Sequence, residues 1–156
     1  APNAAAAYSL RSLTGGDPQV VRVRRDTDGG AGDNDEQDFT ASGISSGALV
    51  AFVGSGNDGF VETWYDQSGN SEDAVQATAG SQPKIVNAGS LVVDSAGLPE
   101  IDFDGSNDCL TASSYSRSGE DLPLTMISVF DQDVAGVDYI VSLNQTDNNG
   151  KGKSNG

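Results

Sequence analysis

Val61-Glu62-Thr63-Trp64-Tyr65-Asp66-Gln67-Ser68-Gly69-Asn70 passes without a break from a β-branched and aromatic run into a polar turn, and it holds the only tryptophan of the chain. Trp and Tyr bury large apolar surface but need partners for their N–H and O–H groups. The Asp, Gln, Ser, Gly and Asn that follow are turn formers whose side chains bond nearby backbone. The stretch therefore predicts a core strand, Phe60 to Tyr65, ending in a rigid corner. Trp64, Tyr65, Asp66, Gln67 and Asn70 are its structural residues. A sharper reading has Asp66 and Asn70 presented to a ligand or cation.

Working outward, short β-type runs recur between turn signals. Gln19 to Arg25 alternates Val21 and Val23 with Arg22 and Arg24, the pattern of a half-buried strand. Asp73 to Ala77 reads as a short irregular or β segment. Pro83 to Val86 and Leu91 to Val93 bracket Asn87-Ala88-Gly89-Ser90 as a hairpin with a four-residue loop. Glu100 to Phe103 is a further strand, Asp104-Gly105 a turn, and Cys109 to Thr111 the way back. Leu124 to Phe130 is the longest β-type run, and Tyr139 to Leu143 follows it.

Two helices are expected near the N-terminus. Asn3 can cap one over residues 4–13, where alanines lead into an Ala6, Leu10, Leu13 stripe. The second, Gly47 to Val53, opens at Ser45 or Ser46 and closes at Gly54. Together these elements predict an all-β fold, an antiparallel sandwich or jelly roll. Residues 1–143 form the module, and 144–156 a polar tail or the start of a continuation. The late strands have little chain left to pair with, so the sandwich is expected to be incomplete or completed by another chain.

The chain has 156 residues, with 8 basic against 23 acidic side chains and a formal charge of −15. That balance argues against a nucleic-acid surface, which must neutralise phosphates. No apolar run is long enough to span a membrane. With no histidine, His-ligated metals and His-dependent triads are excluded. The single Cys109 has no intramolecular disulfide partner, and its Leu110 neighbour suggests a buried thiol. Four of the eight cations, Arg11, Arg22, Arg24 and Arg25, lie in the first 25 residues. They either neutralise neighbouring carboxylates or form a basic strip for an acidic glycan.

The loop from Asp26 to Asp38 has the composition of a calcium site, which makes Asp26 and Asp28 candidate Ca²⁺ ligands. Its spacing is not that of an EF-hand: Gly30, Ala31 and Gln37 stand where a ligand, a Gly and a Glu are required. Asp104, Asn107, Asp108 and Tyr115 are candidates for holding a sugar through hydrogen bonds and an aromatic platform.

Taken in order, several motifs carry a family resemblance. They are Ala7-Tyr8-Ser9-Leu10-Arg11, Val21-Arg22-Val23-Arg24-Arg25, Glu36-Gln37-Asp38-Phe39 and Thr63 to Asn70, then Gln76-Ala77, Gln82 to Val86 and Phe103-Asp104-Gly105-Ser106-Asn107-Asp108. Over about residues 5 to 110 the chain resembles the concanavalin A-like module of the N-terminal domain of α-L-arabinofuranosidase B. Similar modules occur in bacteriophage tail fibres and virion surface proteins.

The resemblance implies a laminin G-like jelly roll but not hydrolysis. A retaining glycosidase needs two carboxyl groups about 5–5.5 Å apart. The family's nucleophile is a Glu in a late strand after a disulfide-bearing run, and Tyr139 to Gln145 offers no carboxylate there. The expectation is a non-enzymatic adhesion or structural module on a virion surface or in an extracellular setting. Its partners would be copies of itself, other virion proteins or a glycan. A lectin-like module is the alternative, and a hydrolase the third reading.

Overall fold

The computed structural model describes residues 4–27, 35–112, 125–130, 145–146 and 152–153. Backbone contacts divide the chain into two units, Ala1–Thr125 and Met126–Gly156.

The first unit is built on one curled antiparallel sheet. Its strands are β1 (Gln19–Asp26), β2 (Glu36–Thr40), β3 (Asp58–Trp64), β4 (Ala74–Val75), β5 (Lys84–Asn87) and β6 (Ser90–Leu91), in the order β2-β1-β3-β5-β6 with β4 also on β3. Two short helices, α1 (Ala41–Ser45) and α2 (Ala48–Val53), lie between β2 and β3. The result is an incomplete all-β jelly roll with minor helical content, as the punctuated strands predicted.

Strand β3 is the axis. Its burial alternates, with Gly59, Val61 and Thr63 buried and the residues between them half-exposed. The inward set meets α2: a Cβ on Gly59 would fall 2.8 Å from Val53 Cγ2, 3.1 Å from Val86 Cβ and 3.3 Å from Val23 Cγ1. A glycine is thus required where the helix crosses the sheet. Val20, Val23, Leu49, Val53, Val61 and Ile85 are fully buried in this core, closed at one end by Phe39 and Ile44. α1 starts at Thr40, whose hydroxyl accepts the Gly43 N–H, and α2 is bounded by Gly47 and Gly54, both at positive φ.

Several sequence expectations change. Residues 4–13 are not helical. A ten-residue helix gains little from alanine alone, and here the segment's backbone groups are taken up by the Asp66 corner instead. Ser45 and Ser46 do not cap the second helix; Gly47 does, without a side-chain bond. Glu36 to Asp38, read as the end of the Asp26 to Asp38 loop, belongs to the strand Glu36–Thr40, which pairs with β1 through Arg22↔Asp38 and its neighbours. Arg24 is not on a wet face but is 5% exposed. Glu100 to Phe103 makes only an isolated bridge, Lys84↔Asp102, and Cys109 is exposed, with Gln76 Nε2 2.9 Å from its sulfur.

The hairpin loop is two residues, not four. Val86 pairs with Leu91 and Asn87 with Ser90, leaving Ala88 and Gly89 at φ 49° and 79°. This is a type I′ turn, whose twist suits a hairpin. The left-handed Ala88 is held by its N–H bond to Asp58 Oδ1 at 2.7 Å, and Gly89 N–H bonds Asn57 O at 2.7 Å.

In the second unit, β7 (Gln145–Thr146) and β8 (Gly152–Lys153) form a two-residue antiparallel ladder. The described part of the expected strand Leu124 to Phe130, residues 125–130, carries no regular secondary structure. β-propensity needs a paired neighbour to become a strand. Tyr139 to Leu143 lies outside the described residues.

Gly89→Ala tests how closely the hairpin is packed. Its Cβ would lie 2.8–2.9 Å from backbone atoms of Gly54, Ser55 and Gly56, at positive φ. Urea denaturation should show a loss of about 2 kcal/mol or more, whereas Ala88→Gly should be neutral or stabilising.

Candidate functional site

The corner after β3 is a hydrogen-bond hub. Asp66 Oδ1 accepts the N–H groups of Ala7 and Ser68, each at 2.8 Å, and Oδ2 accepts the Ser68 hydroxyl at 2.6 Å and Glu72 N–H at 3.2 Å. Buried Gln67 donates Nε2 to Ser9 O and Arg11 O and accepts Leu13 N–H on Oε1. Asn70 Nδ2 donates to Ala4 O and Ala5 O. Residues 4–13 are thereby strapped along the corner. Tyr8 stacks obliquely on Trp64 at 5.6 Å and donates its hydroxyl to Glu72 O. Burial, with Asp66, Glu72 and Asp73 nearby, pushes the Tyr8 phenol up to about 12.

Burial pushes the Asp66 carboxyl up, but the bonds from Ser68, Ala7 and Glu72 outweigh it and hold the group below its ordinary value. Asp66 and Asn70 are spent on the chain's own backbone. These bonds tie the corner to the strap of residues 4–13 and to Glu72.

A second constellation forms on the sheet face opposite the helices. Strand register sets Arg24 beside Phe60, Phe60 beside Lys84, and Lys84 beside Asp102. Cross-strand neighbours share a face, so these four form a row across four segments. The Arg24 guanidinium lies 5.0 Å and Lys84 Nζ 5.6 Å from the Phe60 ring centre, within cation–π range. Arg24 Nε donates to Gln82 Oε1 at 2.8 Å, and its Nη1 is 3.8 Å from Asp26. Lys84 pairs with Asp58 at 2.8 Å.

Above this row stands the Asp104–Asp108 loop, enclosing a cleft of about 400 Å³ lined by Arg24, Asp26, Phe60, Lys84, Asp102 and the loop aspartates. The loop is a turn tied by its own acids. Asp104 Oδ1 accepts the N–H groups of Ser106, Asn107 and Asp108, and Asp108 Oδ2 accepts Asp104 N–H at 3.0 Å. Asn107 Nδ2 donates to Gly80 O and Ser81 Oγ, anchoring the loop to the neighbouring 3₁₀ turn. The three backbone donors hold Asp104 low, whereas burial and the charges of Asp104 and Asp102 push Asp108 up.

Three of the sequence candidates thus meet at one cleft: Asp26, Asp104 and Asp108. Asn107 supports its wall, while Tyr115 and Asp28 lie outside the described residues. Of the other lining residues, sequence reading gives a role only to Arg24, as a neutralising or acidic-glycan-binding cation; Phe60, Lys84 and Asp102 carry none. The alternation of β1 and β3 was visible, but only register shows that Arg24, Phe60 and Lys84 are neighbours. Among the described residues, no group of three or more Cys, Asp or Glu side chains is placed to hold a metal ion. Likewise, no helix of the described residues is long and apolar enough to cross a membrane. Three of the four clustered arginines face carboxylates: Arg22 meets Asp38 at 2.8 Å, Arg24 lies 3.8 Å from Asp26, and Arg25 meets Asp35 at 2.6 Å.

Comparison with protein-family models, curated proteins and solved structures finds no match. Function therefore rests on the site.

The corner predicts an acid-labile fold. Arg22 holds Asp38 low; at Asp58 the Ala88 N–H and Lys84 overcome burial; Asp66 is low for the reasons above. A carboxyl lowered by folding stabilises fully above its unfolded value and loses that contribution as pH falls through the folded one. Stability should therefore drop below about pH 4, with Asp108 opposing the trend weakly because its pKa is raised. Asp66→Asn should cost ~1–3 kcal/mol at neutral pH and flatten the acid slope, measured by urea denaturation across pH.

Proposed function

We propose that this chain is a non-enzymatic adhesion module of an extracellular or virion surface, and that the cleft under the Asp104–Asp108 loop takes a glycan. The observation that carries the reading is the convergence of Asp26, Asp104 and Asp108 on the Phe60 row. Small-molecule sites are typically clefts of about 300–1,000 Å³; this one falls in that range, with Phe60 as its aromatic surface among charged side chains. The motif resemblance to the arabinofuranosidase B-type module and its phage-borne relatives supports a surface role.

A catalytic role is disfavoured by how the acids are spent. The Asp104/Asp108 titrations are pushed apart, as in acid–base pairs. Both groups belong to one turn, however, and each bonds the other's backbone N–H. A glycosidase places its two carboxyl groups on either side of the scissile bond. Incubation with oligosaccharides should give binding without hydrolysis, read by chromatography of the recovered sugar; release of shorter products would overturn the non-enzymatic reading.

A second, compatible reading is assembly. Ile127 is 89% and Val129 98% exposed, beside the exposed Met126 and Phe130. Such a run favours contact with another chain or copy. If it does so, light scattering should show an oligomer that Ile127→Asp with Val129→Asp dissociates without lowering the stability of the sheet. A monomer unchanged by the pair of substitutions removes this reading.

A further inference from the structure

The cleft's lining restricts which saccharide it can hold. Resting on the glycan reading above, we infer that the cleft recognises an uncharged saccharide through hydroxyl pairs, with the buried Arg24 as its donor and Asp102 as its acceptor.

The electrostatics come first. Four carboxylates, Asp26, Asp102, Asp104 and Asp108, line the cleft against two cations. Both cations already face carboxylates, Arg24 towards Asp26 and Lys84 onto Asp58. An anionic sugar would therefore meet a net negative wall, four carboxylates against two cations, in a chain of charge −15. A cationic sugar would be drawn to the exposed carboxylates, but solvent screens that attraction, and Arg24 and Lys84 already occupy the Phe60 ring where a cation would sit. A hydroxyl-rich neutral ligand avoids both penalties. It is both donor and acceptor, and a neutral group loses less hydration on entering the cleft than an ion does.

Donor and acceptor are available within the row. Arg24 is 5% exposed, and its one side-chain hydrogen bond among the described residues is from Nε to Gln82. Nη1 has only the loose 3.8 Å approach to Asp26, and Nη2 has no hydrogen bond among the described residues. This leaves guanidinium N–H donors beside the cleft on a side chain immobilised by burial, so little entropy is lost on binding. Asp102 is exposed; its backbone bonds Lys84 in both directions, and its carboxylate makes no hydrogen bond among the described residues. By contrast, Asp104 spends one oxygen on three backbone N–H groups. The Nη groups of Arg24 and the Asp102 carboxylate are thus the row's two polar ends open to a hydrogen bond, separated by Phe60 and Lys84.

The test is a titration of the intact chain, followed by amide NMR shifts, with three oligosaccharides of equal length: neutral, uronate and free-amine. The neutral sugar should bind at least about tenfold more tightly than either charged one, shifting Phe60, Lys84 and Asp102 amides. Asp102→Asn, on an exposed side chain, should weaken neutral-sugar binding about tenfold or more. Arg24→Lys, which keeps the charge but loses the planar fork, should do the same, with its fold checked by thermal melting. Equal or tighter binding of a charged sugar overturns this inference while leaving the glycan reading standing. Neutral binding that Asp102→Asn leaves intact also overturns it. Absence of binding by all three removes the glycan reading itself.

Discussion

The hydrogen bonds made by Asp66 are the constraint on which the first unit depends. One half-buried carboxylate gathers the backbone of Ala7, Ser68 and Glu72. It joins the strap of residues 4–13 to the end of the central strand and to the loop beyond it. Gln67 and Asn70 extend the same function, one buried and one exposed, by holding strap carbonyls at Ala4, Ala5, Ser9 and Arg11. A charged acceptor is well suited to this task, because its bonds are stronger than neutral ones and several donors can share it. The strap also packs on the Trp64 end of β3 through the Tyr8 ring.

Charge is distributed on the same logic. The chain is strongly acidic, yet its few cations sit inside the sheet's own architecture. Arg22 joins β1 to β2 through Asp38, Lys84 joins β5 to β3 through Asp58, and Arg24 is packed under Phe60. Pairing a buried guanidinium with a glutamine and an aromatic face costs less than leaving it unpaired. That packing also creates the cleft, because the side chains that bridge the strands on the outer face form its floor. The polar face and the site are one structure.

Some of this architecture was legible in the residues. The alternation of Val61 and Thr63 with their neighbours marks β3, the glycines around Ala48 to Val53 mark α2, and the turn chemistry after Trp64 marks the corner. Each is a local signal, written within one strand or turn length. The hairpin was found but its loop was drawn too long, since Asn87 and Ser90 look like turn residues and yet pair. The helix expected over residues 4–13 failed for a related reason: alanine's preference is worth tenths of a kcal/mol per residue, less than the bonds the corner offers to an extended segment. The strand Glu36–Thr40 was missed because a polar edge strand has only Phe39 to announce it.

For the candidate site the same division holds. Asp104, Asn107 and Asp108 stand in one turn, so their proximity follows from the sequence alone. Asp26 is 78 positions from Asp104, and nothing local joins them. Arg24, Phe60, Lys84 and Asp102 become neighbours only through register, which depends on bulges within β1–β3 and β3–β5 pairing. The sequence by itself determined an acidic, histidine-free chain of short β runs, the Asp66 corner and the Asp104 turn, since composition and turn chemistry act over a few residues. Which strands pair, which arginine is buried and where a cleft opens were decided by tertiary structure, because pairing and burial are properties of the partner as much as of the residue.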